Sequence, residues 1–184
     1  MKVKALKYHN IHHELIEKCK AGNQEAQFEI YKYYYKPMYN TSLRIVNNTA
    51  EAEDVMQESF LSAFTKLNTY KGEASFGTWL KKIVINKSID SLKMKKIDYE
   101  QINDNHSETM EEQTLTNTED INDLINKIKK ATKKLPDKYR IIFSLYMFEG
   151  YDHKEIGYIL DINEATSRSQ LTRAKRKLQN ILKQ

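Results

Sequence analysis

Between residues 97 and 126 the sequence has nine acidic residues and neither lysine nor arginine. The run reads KIDYEQINDNHSETMEEQTLTNTED from Lys96 onward, rich in Asn and Thr and poor in large apolar side chains. Such a segment cannot bury enough surface to offset the entropy lost on ordering, so it reads as a flexible linker. On either side the pattern changes. Apolar residues recur at helical spacing from Leu15 to about Leu92 and again from Leu124 to Leu182. No single core can run across such a gap. The chain is therefore expected to be all-α, with two small helical domains at 1–96 and 124–184 joined by a flexible acidic linker at 97–123.

The charge pattern points to an anionic partner. The net charge is +5, but residues 1–96 carry 16 Lys and Arg against 10 Asp and Glu, and residues 127–184 carry 14 against 6. Two basic blocks around an acidic strip suit a nucleic-acid binder with a solvated or charge-mimicking linker. Five Gly and two Pro are too few for a turn-rich β fold, and 184 residues suffice for two small cores. Cys19 is the only cysteine, so no internal disulfide can form and a reducing compartment is expected. No apolar run has the length of a signal peptide or membrane span, which makes the cytoplasm the expected location, with no membrane insertion.

In the first domain, GNQEAQFEIYKYYYKPMYNTSLRIV suggests two helices, with Pro37 a kink or the boundary between them. Tyr31, Tyr33, Tyr34, Tyr35 and Tyr39 invite a base-stacking role, although packing is the expected role for most of them. The segment NNTAEAEDVMQESFLSAFTKL opens with a cap at Asn48 or Thr49 and an acidic first turn, and Val55, Phe60, Leu61, Phe64 and Leu67 form its apolar stripe. In the second domain, KLPDKYRIIFSLYMFEG places Pro near a helix start and Gly150 just past its end. Asp152 and Glu155 then form a capping box at the start of DHKEIGYIL. The short break DIN leads into the longer basic helix EATSRSQLTRAKRKLQNILK, which is the helix-turn-helix order.

A wheel of 100° per residue sorts that last helix into two sides. Leu171, Ala174, Leu178, Ile181 and Leu182 gather on one side with Ser167, and Thr166, Ser169, Thr172, Arg173 and Arg176 on the other. Lys177 lies at the edge of the polar side, and Arg168 and Lys175 lie on a flank. Short hydroxyls permit close approach and arginines reach guanine edges or phosphates, so this side fits a duplex major groove. The segment YKGEASFGTWLKKIVINKSIDSLK has three faces rather than two. Leu80, Ile83 and Val84 form one apolar face, Ile85, Ile89 and Leu92 a second. Between them runs Trp79, Lys82, Asn86, Asp90 and Lys93, spaced three, four, four and three. An indole in line with lysines and an amide fits a platform for a single nucleic-acid strand, the ring stacking on a base and the lysines meeting phosphates. In the preceding loop of Lys71, Gly72, Glu73, Ala74, Ser75 and Phe76, the small Gly72, Ala74 and Ser75 leave room for an extruded base.

Enzymatic readings fare poorly. Glu53, Asp54 and Glu58 cluster, yet no histidine partner lies near them in sequence, and acid–base or metal chemistry needs further converging groups. His9, His12 and His13 contain an i, i+4 pair but sit in an unsupported N-terminal segment, where solvation is the expected state. No phosphate-binding glycine loop or nucleophile signature is present, so neither cofactor, metal nor catalytic residue is expected. Three classes stay open on the residues alone: a nucleic-acid-binding factor that holds both single strand and duplex, a two-domain regulator with a ligand-sensing half, and a protein-interaction module.

Three stretches taken in order resemble one family, the bacterial RNA polymerase sigma factors of the sigma-70, extracytoplasmic-function type. They are AEAEDVMQESFLSAFTKL, YKGEASFGTWLKKIVINKSIDSLKMKK and LPDKYRIIFSLYMFEGYDHKEIGYILDINEATSRSQLTRAKRKL, covering roughly residues 20–96 and 124–182. The resemblance implies that Glu53, Asp54, Gln57, Glu58 and Phe60 dock on the β′ clamp helices of core RNA polymerase. It implies that the Trp79 helix and the loop before it open the minus-ten element and hold its non-template strand. It implies that Thr166, Arg168, Ser169, Gln170, Thr172, Arg173, Arg176 and Lys177 read the duplex minus-thirty-five element. By the same resemblance the acidic linker threads toward the RNA exit path, the free protein is a monomer, and an anti-sigma factor is a candidate partner. The sequence departs from the family at Ala165, usually Gly, at Ser167, more often Val or another apolar residue, and at Gln170 and Thr172, usually Arg and a bulkier His or aromatic residue. Gln170 favours adenine where Arg would favour guanine.

Overall fold

The computed structural model describes residues 12–101 and 121–183, and among them the regular structure is helical throughout. Helices α1 (His13–Lys20), α2 (Gln24–Val46), α3 (Thr49–Thr65) and α4 (Phe76–Gln101), with a 3-10 turn at Leu67–Thr69, precede α5 (Ile121–Lys133), α6 (Asp137–Met147), α7 (His153–Leu160) and α8 (Glu164–Leu182). The chain divides into two compact units at Leu92. The helical backbone of α4 runs on to Gln101, and α5 begins at Ile121, so both reach into the 97–123 segment. Extending a helix already nucleated in a core adds one hydrogen bond per residue, which carries it past the last apolar position. The remaining acidic residues, 102–120, lie outside the described residues.

In the first unit one 23-residue helix replaces the two expected between Gly22 and Val46. Pro37 lies inside α2 on its exposed side, where the bond it cannot donate to the Tyr33 carbonyl faces water rather than the core. Asn23 caps α2 by accepting from the Ala26 amide at 2.8 Å, and Asn48 rather than Thr49 caps α3 by accepting from the Glu51 amide at 3.0 Å. Ile16, Ile30, Met38, Met56, Phe60, Phe76, Leu80 and Val84 meet in one core. Leu80 and Val84 on one apolar face of α4 and Ile85 and Ile89 on the other are buried, whereas Ile83 and Leu92 at the margins are half-buried. Where α2 and α4 approach closely, small hydroxyls replace hydrocarbon: Ser88 is hydrogen-bonded to Ser42 at 3.1 Å and to the Val84 carbonyl at 2.8 Å. The apolar stripe expected on α3 needs one correction. Leu61 is 68% exposed, and Ala52, Met56, Ser59 and Ala63 complete the buried side instead.

In the second unit α6 and α8 enclose Ile142, Phe143, Leu145, Ile156, Leu171, Ala174 and Leu178. Arg140 is buried and ties the turn before α6, donating to Asp137 at 2.7 Å and to the Leu135 carbonyl at 3.3 Å. The capping box forms in full: Glu155 N donates to Asp152 Oδ1 and Asp152 N to Glu155 Oε2, each at 2.8 Å. After α7, Asp161 takes the left-handed conformation and Asn163 caps α8. Gly157 makes that tight turn feasible, because a Cβ there would lie 2.7 Å from the Ile162 carbonyl oxygen. At the far end of α8 the expected core face runs out: Ile181 is half-buried and Leu182 exposed.

Candidate nucleic-acid interface

The loop before α4 is shaped by its own residues. Tyr70 is buried and donates its hydroxyl to the Ala74 carbonyl at 2.7 Å, folding Lys71–Ala74 into a compact bend with Gly72 at φ 72°. Ser75 starts α4 by accepting from the Thr78 amide at 3.2 Å, and its hydroxyl lies 2.8 Å from that of Thr78. Lys71 and Glu73 are exposed, while Gly72, Ala74 and Ser75 are half-buried. Phe76 is different. It is 1% exposed, in edge contact with Tyr34 at 5.2 Å and Tyr70 at 5.6 Å, so it belongs to the core rather than to the surface expected from the sequence. Gly77 lets Tyr34 close over the first turn of α4; a Cβ there would lie 3.0 Å from Tyr34 Cε1. Burial, and then the neighbouring Tyr70 phenol, hold the Tyr34 phenol above its ordinary pKa, so that ring is neutral.

Trp79 is half-buried. One side of the indole rests against Tyr70 at 5.3 Å and Phe76 at 5.6 Å, and the rest reaches solvent. Below it Lys82, Asn86, Asp90 and Lys93 are all exposed, each three or four residues from the last. The result is a fixed aromatic edge at the head of a polar row bordered by two buried apolar faces. Asp90 is the one member of the row with the wrong charge for a phosphate.

On α3 the residues matched to polymerase docking separate. Glu53, Asp54, Gln57 and Glu58 are exposed on one side of the helix, whereas Phe60 is 3% exposed and packs edge-on against Tyr31 at 4.9 Å. Phe60 therefore serves the core. Leu61 takes its place on the exposed side, one turn beyond Gln57 and Glu58, where sequence reasoning had assigned it to the stripe. Glu58 also accepts from Lys87 Nζ of α4 at 3.1 Å, and Glu51 accepts from the Ser91 hydroxyl at 2.6 Å. A bridge this exposed contributes at most about 1 kcal/mol and leaves Glu58 available to exchange partners.

On α8 the expected groove-facing residues stand on one side. Arg168, Ser169, Thr172, Arg173, Arg176 and Lys177 are exposed, and Thr166 and Gln170 half-buried. Arg168 pairs with Glu164 one turn earlier, and Lys177 Nζ sits 5.9 Å from the centre of the Tyr139 ring. Ser169 and Thr172 donate to the Thr166 and Arg168 carbonyls of their own helix, which keeps them short and close to the backbone. Ser167 is fully buried and faces His153 Nδ1 of α7 at 3.0 Å, with the imidazole stacked on Tyr146 at 4.9 Å. The buried hydroxyl is thus satisfied rather than orphaned, and it fixes α8 against α7.

Among the described residues no group of three His, Cys, Asp or Glu is arranged to hold a metal ion, and no helix is long and apolar enough to cross a membrane. Of the three early histidines, His9 lies outside the described residues and His12 stacks on Tyr33.

Known proteins are similar to this chain in sequence and fold. The family description sigma-70 region 2 matches residues 30–96, and sigma-70 region 4 matches residues 125–178. The ECF RNA polymerase sigma factor SigW of Bacillus subtilis is 32% identical over 177 residues, covering 91% of this chain and 95% of that protein. The RNA polymerase sigma-H factor of Pseudomonas aeruginosa is 26% identical over 179 residues, covering 92% of each. The sigma factor RpoE of Bartonella quintana, solved with the anti-sigma factor NepR, has the same fold: TM-score 0.60 at 17% identity, covering 84% of this chain and 95% of that one. With region 2 on the Trp79 unit, region 4 on the helix-turn-helix unit and a relative matched along nearly its whole length, the chain belongs to the sigma-70 family as an extracytoplasmic-function sigma factor.

Proposed function

We propose that the protein binds core RNA polymerase and directs promoter-specific initiation by dividing promoter recognition between its two units. In the first, extended by the rest of α4 from Lys93 onward, Glu53, Asp54, Gln57 and Glu58 meet the β′ clamp helices. Lys71, Gly72, Glu73, Ala74 and Ser75 receive an extruded base of the minus-ten element, and Trp79, Lys82, Asn86, Asp90 and Lys93 carry the non-template strand. In the second, the exposed side of α8 enters the major groove of the minus-thirty-five element. The observation that carries this reading is the indole anchored on Tyr70 and Phe76 at the head of an exposed polar row. Pre-organised ring faces suit unpaired bases, whose stacking contributes about 1–3 kcal/mol each. Duplex DNA buries those faces, so a helix with short hydroxyls and arginines is the matching tool there. The protein itself is no enzyme in this scheme, since RNA synthesis belongs to the polymerase. Its work with that polymerase places it in the cytoplasm. An anti-sigma partner is proposed as well, as NepR is for RpoE of Bartonella quintana.

Reconstituted transcription tests the proposal. Core polymerase on a promoter library is expected to initiate at new sites only when this chain is added. A two-domain regulator would bind duplex DNA without a stable polymerase complex. No start site dependent on the chain would overturn the proposal.

A further inference from the structure

The rings of α2 face two ways. Tyr31 packs on Phe60 of α3 and contacts Tyr35, which in turn stacks on Tyr39. Tyr34 instead meets Phe76 of α4 and lies over Gly77. Tyr33, beside it, is 59% exposed and lies flat on His12, with centres 4.5 Å apart and planes 28° from parallel. His12 meets Tyr34 edge-on at 5.8 Å, and Phe76 neighbours Trp79 at 5.6 Å. A series of rings therefore links Trp79 to Tyr33 through the buried Phe76 and the half-buried Tyr34 and His12, with no step longer than 5.8 Å. The two end rings are thus braced by a shared aromatic core beneath the surface.

We propose that Tyr33, held flat by His12, is a second stacking platform for the unpaired strand, so that the strand passes from Trp79 on α4 to α2. This rests on the reading of the Trp79 row as a single-strand site. A ring this exposed gives the core little, yet it is ordered against an imidazole and keeps a face toward solvent, at a cost in side-chain entropy that core packing does not repay. Lys36, one turn further along α2, is exposed, and so is Lys82, one turn further along α4 from Trp79, so positive charge lies near both ends of the series. Strand-binding grooves on other folds hold about 4–16 nucleotides and stack successive bases, which leaves room for two platforms on one strand. Stacking is sequence-tolerant, so Tyr33 adds grip without adding to the promoter code.

The test uses the full chain in holoenzyme and the non-template strand of a promoter found by the transcription assay, with 2-aminopurine placed at successive positions. Two separate groups of quenched positions are expected. Trp79→Ala removes one and Tyr33→Leu the other, each weakening strand binding about tenfold. Tyr33→Phe, which keeps the ring, behaves as the parent, and His12→Ala, which frees it, gives a partial loss. If Tyr33→Leu changes nothing while Trp79→Ala does, Tyr33 is no platform and the inference falls alone. If Tyr33→Leu lowers affinity for core polymerase and leaves strand binding by assembled holoenzyme intact, the surface serves a protein and the inference falls. If neither variant affects the strand, the single-strand reading of Trp79 falls too.

Discussion

Phe76 and Trp79 stand one helical turn apart and do different work. The first is sealed beneath Tyr34 and Tyr70, and the second keeps part of its ring in water. Phe76→Ala should therefore destabilise the first unit by about 3–5 kcal/mol in urea unfolding and affect DNA only through folding. An unchanged unfolding midpoint would return Phe76 to the surface site. On α8, Arg173→Ala should weaken binding to a minus-thirty-five duplex by about 1–3 kcal/mol in an anisotropy titration and relax preference at the base it meets. Unchanged affinity and preference would remove it from the readout. Trp79 and its row were legible in the sequence because, inside a long helix, spacing alone fixes which side chains share a face. Phe76 was not, because it opens the helix, where the bend held by Tyr70 and the Ser75 cap decides which way the ring turns. The flat contact of His12 on Tyr33 was equally hidden, since it depends on how α1 folds back against α2.

At the scale of elements, caps and close approaches set the geometry that the sites rely on. The capping box of α7 was readable from Asp152 and Glu155, and both of its hydrogen bonds form. Asp152→Ala should cost about 0.5–2 kcal/mol in thermal unfolding of the second unit; a loss below that range would mean the α7 start is held by packing instead. On α3 the sequence pattern placed Phe60 correctly in the apolar stripe, where the family resemblance had implied docking, and misplaced Leu61. They differ by 100° on the wheel, and an apolar stripe drawn by residue type admits both, whereas the packed helix buries one and exposes the other. Leu61 stands one turn past Gln57 and Glu58 on the side proposed to meet the polymerase, so Leu61→Asp should weaken binding to core polymerase at least several-fold. Its effect on unfolding should stay within about 0.5 kcal/mol, as for an ordinary surface change. Polymerase binding equal to the parent would confine docking to the carboxylates. The two helices expected around Pro37 merge into one because the lost hydrogen bond falls on the wet side, a fact that depends on packing and not on the proline itself.

The whole molecule is two units, each proposed to carry its own kind of nucleic-acid surface, and the gap in apolar periodicity made the division into units legible in the sequence. How far each bordering helix extends was not legible, since backbone hydrogen bonds carry α4 to Gln101 where side-chain pattern had ended. The central claim is that unpaired DNA belongs to the Trp79 unit and intact duplex to the α8 unit. Permanganate reactivity of minus-ten thymines, measured on one promoter alongside protection of the minus-thirty-five duplex, tests it most directly. Holoenzyme carrying Trp79→Ala should still protect the upstream duplex but lose thymine reactivity. Arg173→Ala should lose upstream protection yet regain open complexes on a template already melted at the minus-ten element. Equal thymine reactivity with Trp79→Ala and the parent chain, at matched occupancy of the promoter, would contradict the account.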